Sequence, residues 1–153
     1  MSKPPLLNSD DVPFAVTIEV RDSCLCLHVQ RAARALARHY DDALRPAGLT
    51  SGQFSLLMSL NRPAPPHMGA VSSLLAMDRT TLTANLKPLE RRGLLKVSID
   101  PADRRGRLLE LTPPGRAALA AALPFWRAAQ AEAERRLGPS GISRLCEDLR
   151  ALA

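Results

Sequence analysis

The chain has 153 residues and a mass of 16.6 kDa, which suits one compact domain and leaves no room for a second. Charged residues at 24% and hydrophobic residues at 46% are ordinary globular proportions, which argues against disorder, and the longest apolar run, Ala117 to Leu123, is too short to cross a bilayer. A net charge of +6 with a pI near 10.0 points to an anionic partner, while three cysteines and no basic-then-apolar leader over Met1 to Val16 predict a reduced, cytoplasmic protein.

Residues 1–16 hold Pro4, Pro5, Asp10, Asp11 and Pro13 without periodicity and are expected to form a flexible N-terminal arm. From about Thr17 to Leu44, Leu25, Val29, Ala32, Leu36, Tyr40 and Ala43 fall on one stripe of a single long helix, which Pro46 and Gly48 end. A helix of this length is too long for so small a domain to bury alone. A partner chain is the simple remedy.

Thr50 with Gln53 three residues on forms a capping box for the next helix, whose core side is Phe54, Leu57, Met58 and Leu60. Arg62 to Pro66 is too proline-rich to be helical. A short helix over Met68 to Met77, with Val71, Leu74 and Leu75 inward, passes through Ala76-Met77-Asp78 into a second helix, so residues 68–93 read as a helix-turn-helix.

Asp78 is placed to cap that second helix, and Leu82, Leu86 and Leu89 mark its buried face. Its other face offers Thr80, Thr83, Lys87 and Arg91, with Arg79, Thr81 and Asn85 beside them. Short polar groups and long cations near a helix N-terminus suit base edges and phosphates in a major groove. Pro88 removes an amide donor and crowds the carbonyl of Ala84, so a bend is expected after the base-contacting turns. Gly93 closes the helix, Leu94 to Ile99 and Arg107 to Leu111 are predicted strands, and the turn between them carries Arg104 and Arg105. Helix followed by hairpin is a winged helix. Between residues 78 and 107 eight cations face four carboxylates, so this fifth of the chain holds most of the net charge.

Thr112-Pro113-Pro114 starts a helix that reaches Leu137 with a kink expected at Pro124. Gly138-Pro139 breaks it, Ser140 is the expected cap, and Ile142, Leu145, Cys146, Leu149 and Leu152 form the apolar side of a last helix.

The runs DRTTLTANLKPLERRGLL and DPADRRGRLLELTPPG resemble the recognition helix and wing of the MarR family of bacterial transcriptional regulators, and with the flanking helices the resemblance extends from about residue 18 to the end. It implies a mainly α fold with a small β-hairpin wing. Residues 47–111 would be the winged helix-turn-helix DNA-binding region, and residues 17–46 and 112–153 a helical dimerisation region. It further implies a homodimer that binds a pseudo-palindromic operator in double-stranded DNA and leaves it in response to a small-molecule effector or an oxidant. The expected DNA contacts are Arg79, Thr80, Thr81, Thr83, Asn85, Lys87 and Arg91 in the major groove, with Arg104, Arg105 and Arg107 on the wing beside the minor groove. Asp103 is expected to fix the hairpin by pairing with a neighbouring arginine.

No catalytic constellation, phosphate loop or cofactor motif is present, so an enzyme is not expected. His28, His39 and His67 lack the spacing of a metal cluster. On a continuous helix Cys24 and Cys26 point to different sides, and small buried hydrophobes account for both as well as for Cys146. Cys26 also precedes Tyr40 by the 14 residues that separate a reactive cysteine from a tyrosine in the peroxide-sensing branch of the MarR family. That resemblance implies a redox-sensing pair, Cys26 and Tyr40, meeting across two subunits, with Cys146 as a candidate resolving thiol. Gln30 stands where that branch carries a second tyrosine. Phe54, Phe125 and Trp126 are either core or lining of a ligand cleft. Two rival readings are an RNA-binding module, disfavoured by only 3% aromatic residues, and a winged helix used as a protein-interaction scaffold.

Overall fold

The computed structural model describes residues 11–153, with seven α-helices and one two-stranded sheet among them. The chain divides into two units, Met1–Leu36 and Ala37–Ala153.

In the first unit, α1 (Phe14–Ser23) begins inside the segment expected to be a loose arm, and the rest of that expectation, residues 1–10, lies outside the described residues. The single helix expected over Thr17 to Leu44 is instead two, α1 and α2 (Leu25–Leu44), parted at Cys24. Neither proline nor glycine causes the break. Cys24 adopts an extended backbone, φ −70° and ψ 105°. Side chains serve carbonyls at the broken end: Ser23 Oγ donates to Glu19 O at 2.6 Å, and the His28 ring lies 3.3 Å from Asp22 O. No residue of α1 is buried, and Val16, Val20, Leu25 and Leu36 are exposed.

In the second unit, the last residues of α2 lead through a 3₁₀ turn (Arg45–Ala47) to Gly48, whose φ of +69° reverses the chain. There follow α3 (Ser51–Ser59), α4 (Met68–Leu74), α5 (Arg79–Arg91), β1 (Leu95–Ile99), β2 (Arg107–Leu111), α6 (Pro113–Leu137) and α7 (Ile142–Arg150). The capping box of Thr50 and Gln53 is formed, and Asp41 Oδ1 accepts from Ser51 N at 2.6 Å. Leu44, Leu57, Val71, Leu82, Leu89 and Leu109 are fully buried, so α2, α3, α4, α5 and the hairpin share one core. The strands are antiparallel with Leu95 opposite Leu111 and Val97 opposite Leu109.

Both internal prolines sit in uninterrupted helices, Pro88 in α5 and Pro124 in α6. Each deprives a residue four positions earlier of its hydrogen bond, and those residues, Ala84 and Ala120, lie on the exposed side of their helices, where an unpaired carbonyl costs least. α7 starts at Gly141 without a side-chain cap, where Ser140 was expected, and buries none of its residues. No helix of the described residues is long and apolar enough to cross a membrane.

Candidate nucleic-acid interface

The second helix of the helix-turn-helix owes its start to Asp78. Its carboxylate accepts from Thr81 N at 2.8 Å and from Thr81 Oγ1 at 2.7 Å. The backbone bond and then the hydroxyl bond hold the Asp78 carboxyl below its usual pKa. Thr81 is therefore a capping residue, its hydroxyl proton already committed. The turn before it passes through Ala76 at φ +48°, with the Ser72 hydroxyl donating to Met77 O. Ala76 thus holds a left-handed backbone that glycine adopts more readily than any residue with a Cβ.

Downstream of the cap, Leu82, Leu86 and Leu89 face inward, which leaves Arg79, Thr80, Thr83, Ala84 and Lys87 around a shallow exposed concavity of about 350 Å³. Thr83 Oγ1 donates back to Arg79 O at 2.7 Å, and Asn85 Nδ2 turns to Met77 Sδ at 3.4 Å. Arg91 is exposed near the far end of the helix. The structure thus brings together Arg79, Thr80, Thr83 and Lys87 and sets Thr81, Asn85 and Arg91 outside that concavity. Ala84, absent from the expected contacts, stands in its middle. Having no polar group, it gave no signal beyond its spacing of four from Thr80.

The wing is tied down at both ends. Leu109 N donates to Pro66 O at 3.0 Å, His67 bridges to Leu108, and His67 Nδ1 stands 3.7 Å from Asp100 Oδ2. Asp100, buried despite its charge, accepts from Ala102 N at 2.8 Å. Asp103 does fix the turn, but through the Arg105 backbone N–H at 3.0 Å rather than a guanidinium, because the short Asx turn places an amide, not a side chain, within reach. Arg107 folds back to donate to Arg104 O and Gly106 O. Arg104 and Arg105 remain exposed at the tip.

A family model described as the MarR family matches residues 49–106. The repressor NicR of Pseudomonas putida is 34% identical over 120 residues, which covers 77% of this chain and 72% of that protein. The chain belongs to the MarR family. Among solved MarR-like structures, the Mycobacterium tuberculosis regulator MosR in complex with DNA is 40% identical with a TM-score of 0.76, over 85% of this chain and 93% of that one. BpsR of Bordetella bronchiseptica, whose DNA binding is regulated by 6-hydroxynicotinic acid, is 28% identical with a TM-score of 0.74, over 85% of this chain and 98% of that one. The winged helix-turn-helix expected from the sequence is therefore the MarR-family winged helix, and the protein is of the transcription-regulator class.

Two further features of this MarR-family chain lie away from α5 and the wing. A cavity of about 380 Å³ lies between α3, α4 and α6, lined by Phe54, Ser55, Met58, Leu74, Leu123 and Trp126 among others. Phe54 and Trp126 stack there at 6.1 Å, while Phe125 lies outside it. Of the thiols, Cys26 is exposed and accepts from Gln30 Nε2 at 3.2 Å, whereas Cys24 and Cys146 are half-buried. The Tyr40 phenol donates to Gln130 Oε1, and burial, followed by Glu134 and Cys146, raises its pKa.

Proposed function

We propose that this protein is a homodimeric, DNA-binding transcriptional repressor that leaves a pseudo-palindromic operator when a small molecule binds, acting in the cytoplasm as a regulator and not as an enzyme. One observation carries the reading: a capped helix exposes Arg79, Thr80, Thr83 and Lys87 as a single face beside a wing tipped by Arg104 and Arg105. A helix N-terminus presenting hydroxyls and cations fits a major groove, and guanidinium groups on a hairpin suit the adjacent minor groove. Dimerisation is assigned to residues 17–46 and 112–153. The apolar side chains that a lone chain leaves in water support it: Val20 and Leu25 in the first unit, Leu145, Leu149 and Leu152 in the second. Two such subunits read half-sites about one duplex turn apart, near 34 Å.

The Phe54–Trp126 cavity is the effector site of this reading, large enough for a small aromatic molecule. The test is titration of the intact protein against labelled duplex from its own upstream region, against single-stranded RNA of the same sequence, and against duplex in the presence of candidate aromatic ligands. Duplex preference, lost in the paired variant Lys87→Glu with Arg105→Glu, supports the reading. Preference for RNA, or full activity of the paired variant, sinks it.

A second reading replaces the ligand by a hydroperoxide sensed at Cys26. It is favoured by the exposure of that thiol and the Gln30 amide directed at its sulfur. Release of operator by hydroperoxide in the wild type but not in Cys26→Ser would establish it, and equal response of the two proteins would end it.

A further inference from the structure

The exposed face of α5 carries its polar groups at its ends and few uncommitted ones at its centre. Thr80, Thr83, Ala84 and Lys87 stand at i, i+3, i+4 and i+7 and so lie along one line of the helix, with Arg79 beside its start. The long cations occupy the ends. In the middle, the hydroxyl proton of Thr83 is given to Arg79 O, which leaves its Cγ2 methyl for an outside partner, and Ala84 offers a methyl and nothing else. Asn85, whose amide has the two-pronged geometry for adenine, lies off this line and is turned to Met77. Thr81, on the other flank, is spent on Asp78.

The major-groove edge of a base pair displays one prominent apolar group, the 5-methyl of thymine. A face whose centre is two methyl groups is complementary to it. The cations at Arg79 and Lys87 flank this face and suit phosphates on either side of a groove, and a chain 40% identical to this one has been solved in complex with DNA.

We propose that Thr83 and Ala84 read thymine 5-methyl groups, so that the centre of each half-site is specified by methyl contact and not by side-chain hydrogen bonds. The proposal rests on α5 being the major-groove element. Burying one methyl is worth roughly fourfold in affinity, and a symmetric pair, one per subunit, about fifteenfold. The rival for the same residues is the Thr83 oxygen accepting from a cytosine amino group, which depends on the hydroxyl and is indifferent to methyls.

The intact protein is used to select duplexes from a randomised library, and the bound sequence is remade with uracil in place of thymine, first in the half-sites and then only in the flanks. Affinities are read by fluorescence anisotropy. The expected result is about fifteenfold weaker binding with uracil in the half-sites and no change with uracil in the flanks. Thr83→Ser, which keeps the hydroxyl and loses the methyl, binds the thymine duplex more weakly and shows a smaller penalty for uracil than the wild type does, whereas Thr83→Val, which keeps the Cγ2 methyl and loses the hydroxyl, retains the full ratio between thymine and uracil duplexes whatever its absolute affinity. Half-sites selected without thymine, uracil duplexes bound within twofold of the parent, or a thymine-to-uracil ratio lost in Thr83→Val and kept in Thr83→Ser would each overturn the proposal. Failure to select any duplex would instead remove the assignment of α5 to DNA, and the methyl reading with it.

Discussion

Gly115 lies so close to Leu94 that a Cβ built on it would come within 1.9 Å of the Leu94 carbonyl oxygen. The first turn of α6 is thereby pressed onto the backbone that joins α5 to β1. Thr112 strengthens the joint, its N–H donating to Leu94 O at 3.2 Å and its hydroxyl to Gly93 O at 2.6 Å. Gly115→Ala gains helix propensity of about 1 kcal/mol but must push two backbones apart, which costs about 3 kcal/mol or more. A clear fall in the urea midpoint is expected, with weakened operator binding. An unchanged midpoint would show that the contact is looser than described.

Ala76 predicts the opposite sign. Its φ of +48° is a conformation that an L-residue with a Cβ adopts at a cost of roughly 1–2 kcal/mol, part of which glycine returns to unfolded-chain entropy. Ala76→Gly is expected to stabilise the protein by about 0.5–1 kcal/mol. Thermal denaturation at fixed protein concentration reads this out, and a lower melting temperature would contradict the turn geometry.

The wing arginines should divide by what they already hold. Arg104 and Arg105 are exposed at the tip, whereas Arg107 donates to two carbonyls of its own turn. Removing a phosphate contact lowers the slope of log K against log salt by about 1. Arg105→Ala is expected to show that loss, and Arg107→Ala a smaller one. Equal slopes for the two variants would mean that the fold-back of Arg107 is undone on DNA.

Asp78 sets an acid limit on α5. Its folded pKa is held below the usual 3.8 by the bonds from Thr81, so the stability it contributes is complete above that value and disappears as pH falls through the lower folded one. Asp78→Asn keeps an acceptor for Thr81 N but removes the charge. Its stability should therefore depend less on pH below about 4 than that of the wild type. Parallel acid-unfolding curves would assign the acid sensitivity to other carboxylates.

Local chemistry was legible in the chain. The caps at Thr50 and Asp78, the helix start at Thr112-Pro113-Pro114, the inward leucines of α5 and the hairpin are all written within a few residues, and all are formed. What escaped depended on groups distant in sequence or on backbone that residue type does not announce. Cys24 breaks a helix with no proline or glycine in sight, because neighbouring side chains serve the carbonyls around it. The pairing of Pro66 and His67 with β2 joins segments over 40 residues apart and leaves no periodic trace. Asp103 was assigned the right task with the wrong partner, since pattern alone does not say whether an amide or a guanidinium is nearer. On α5, polar type singled out Thr81 and Asn85, whose side chains bond to Asp78 and Met77, while Ala84, which lines the concavity, went unnoticed for lack of a polar atom.

The tether of the wing to Pro66 and His67 reaches beyond the hairpin itself. Because β2 is fastened to the residues that lead straight into α4, the hairpin is joined to the helix-turn-helix on a second side as well as through the link from α5 to β1, which braces the two as the halves of one claw. For the dimer put forward under the proposed function, the length left to adjust is the stride from one claw to its twin, and on that reading a signal that empties the operator acts by altering the stride while each grip keeps its shape.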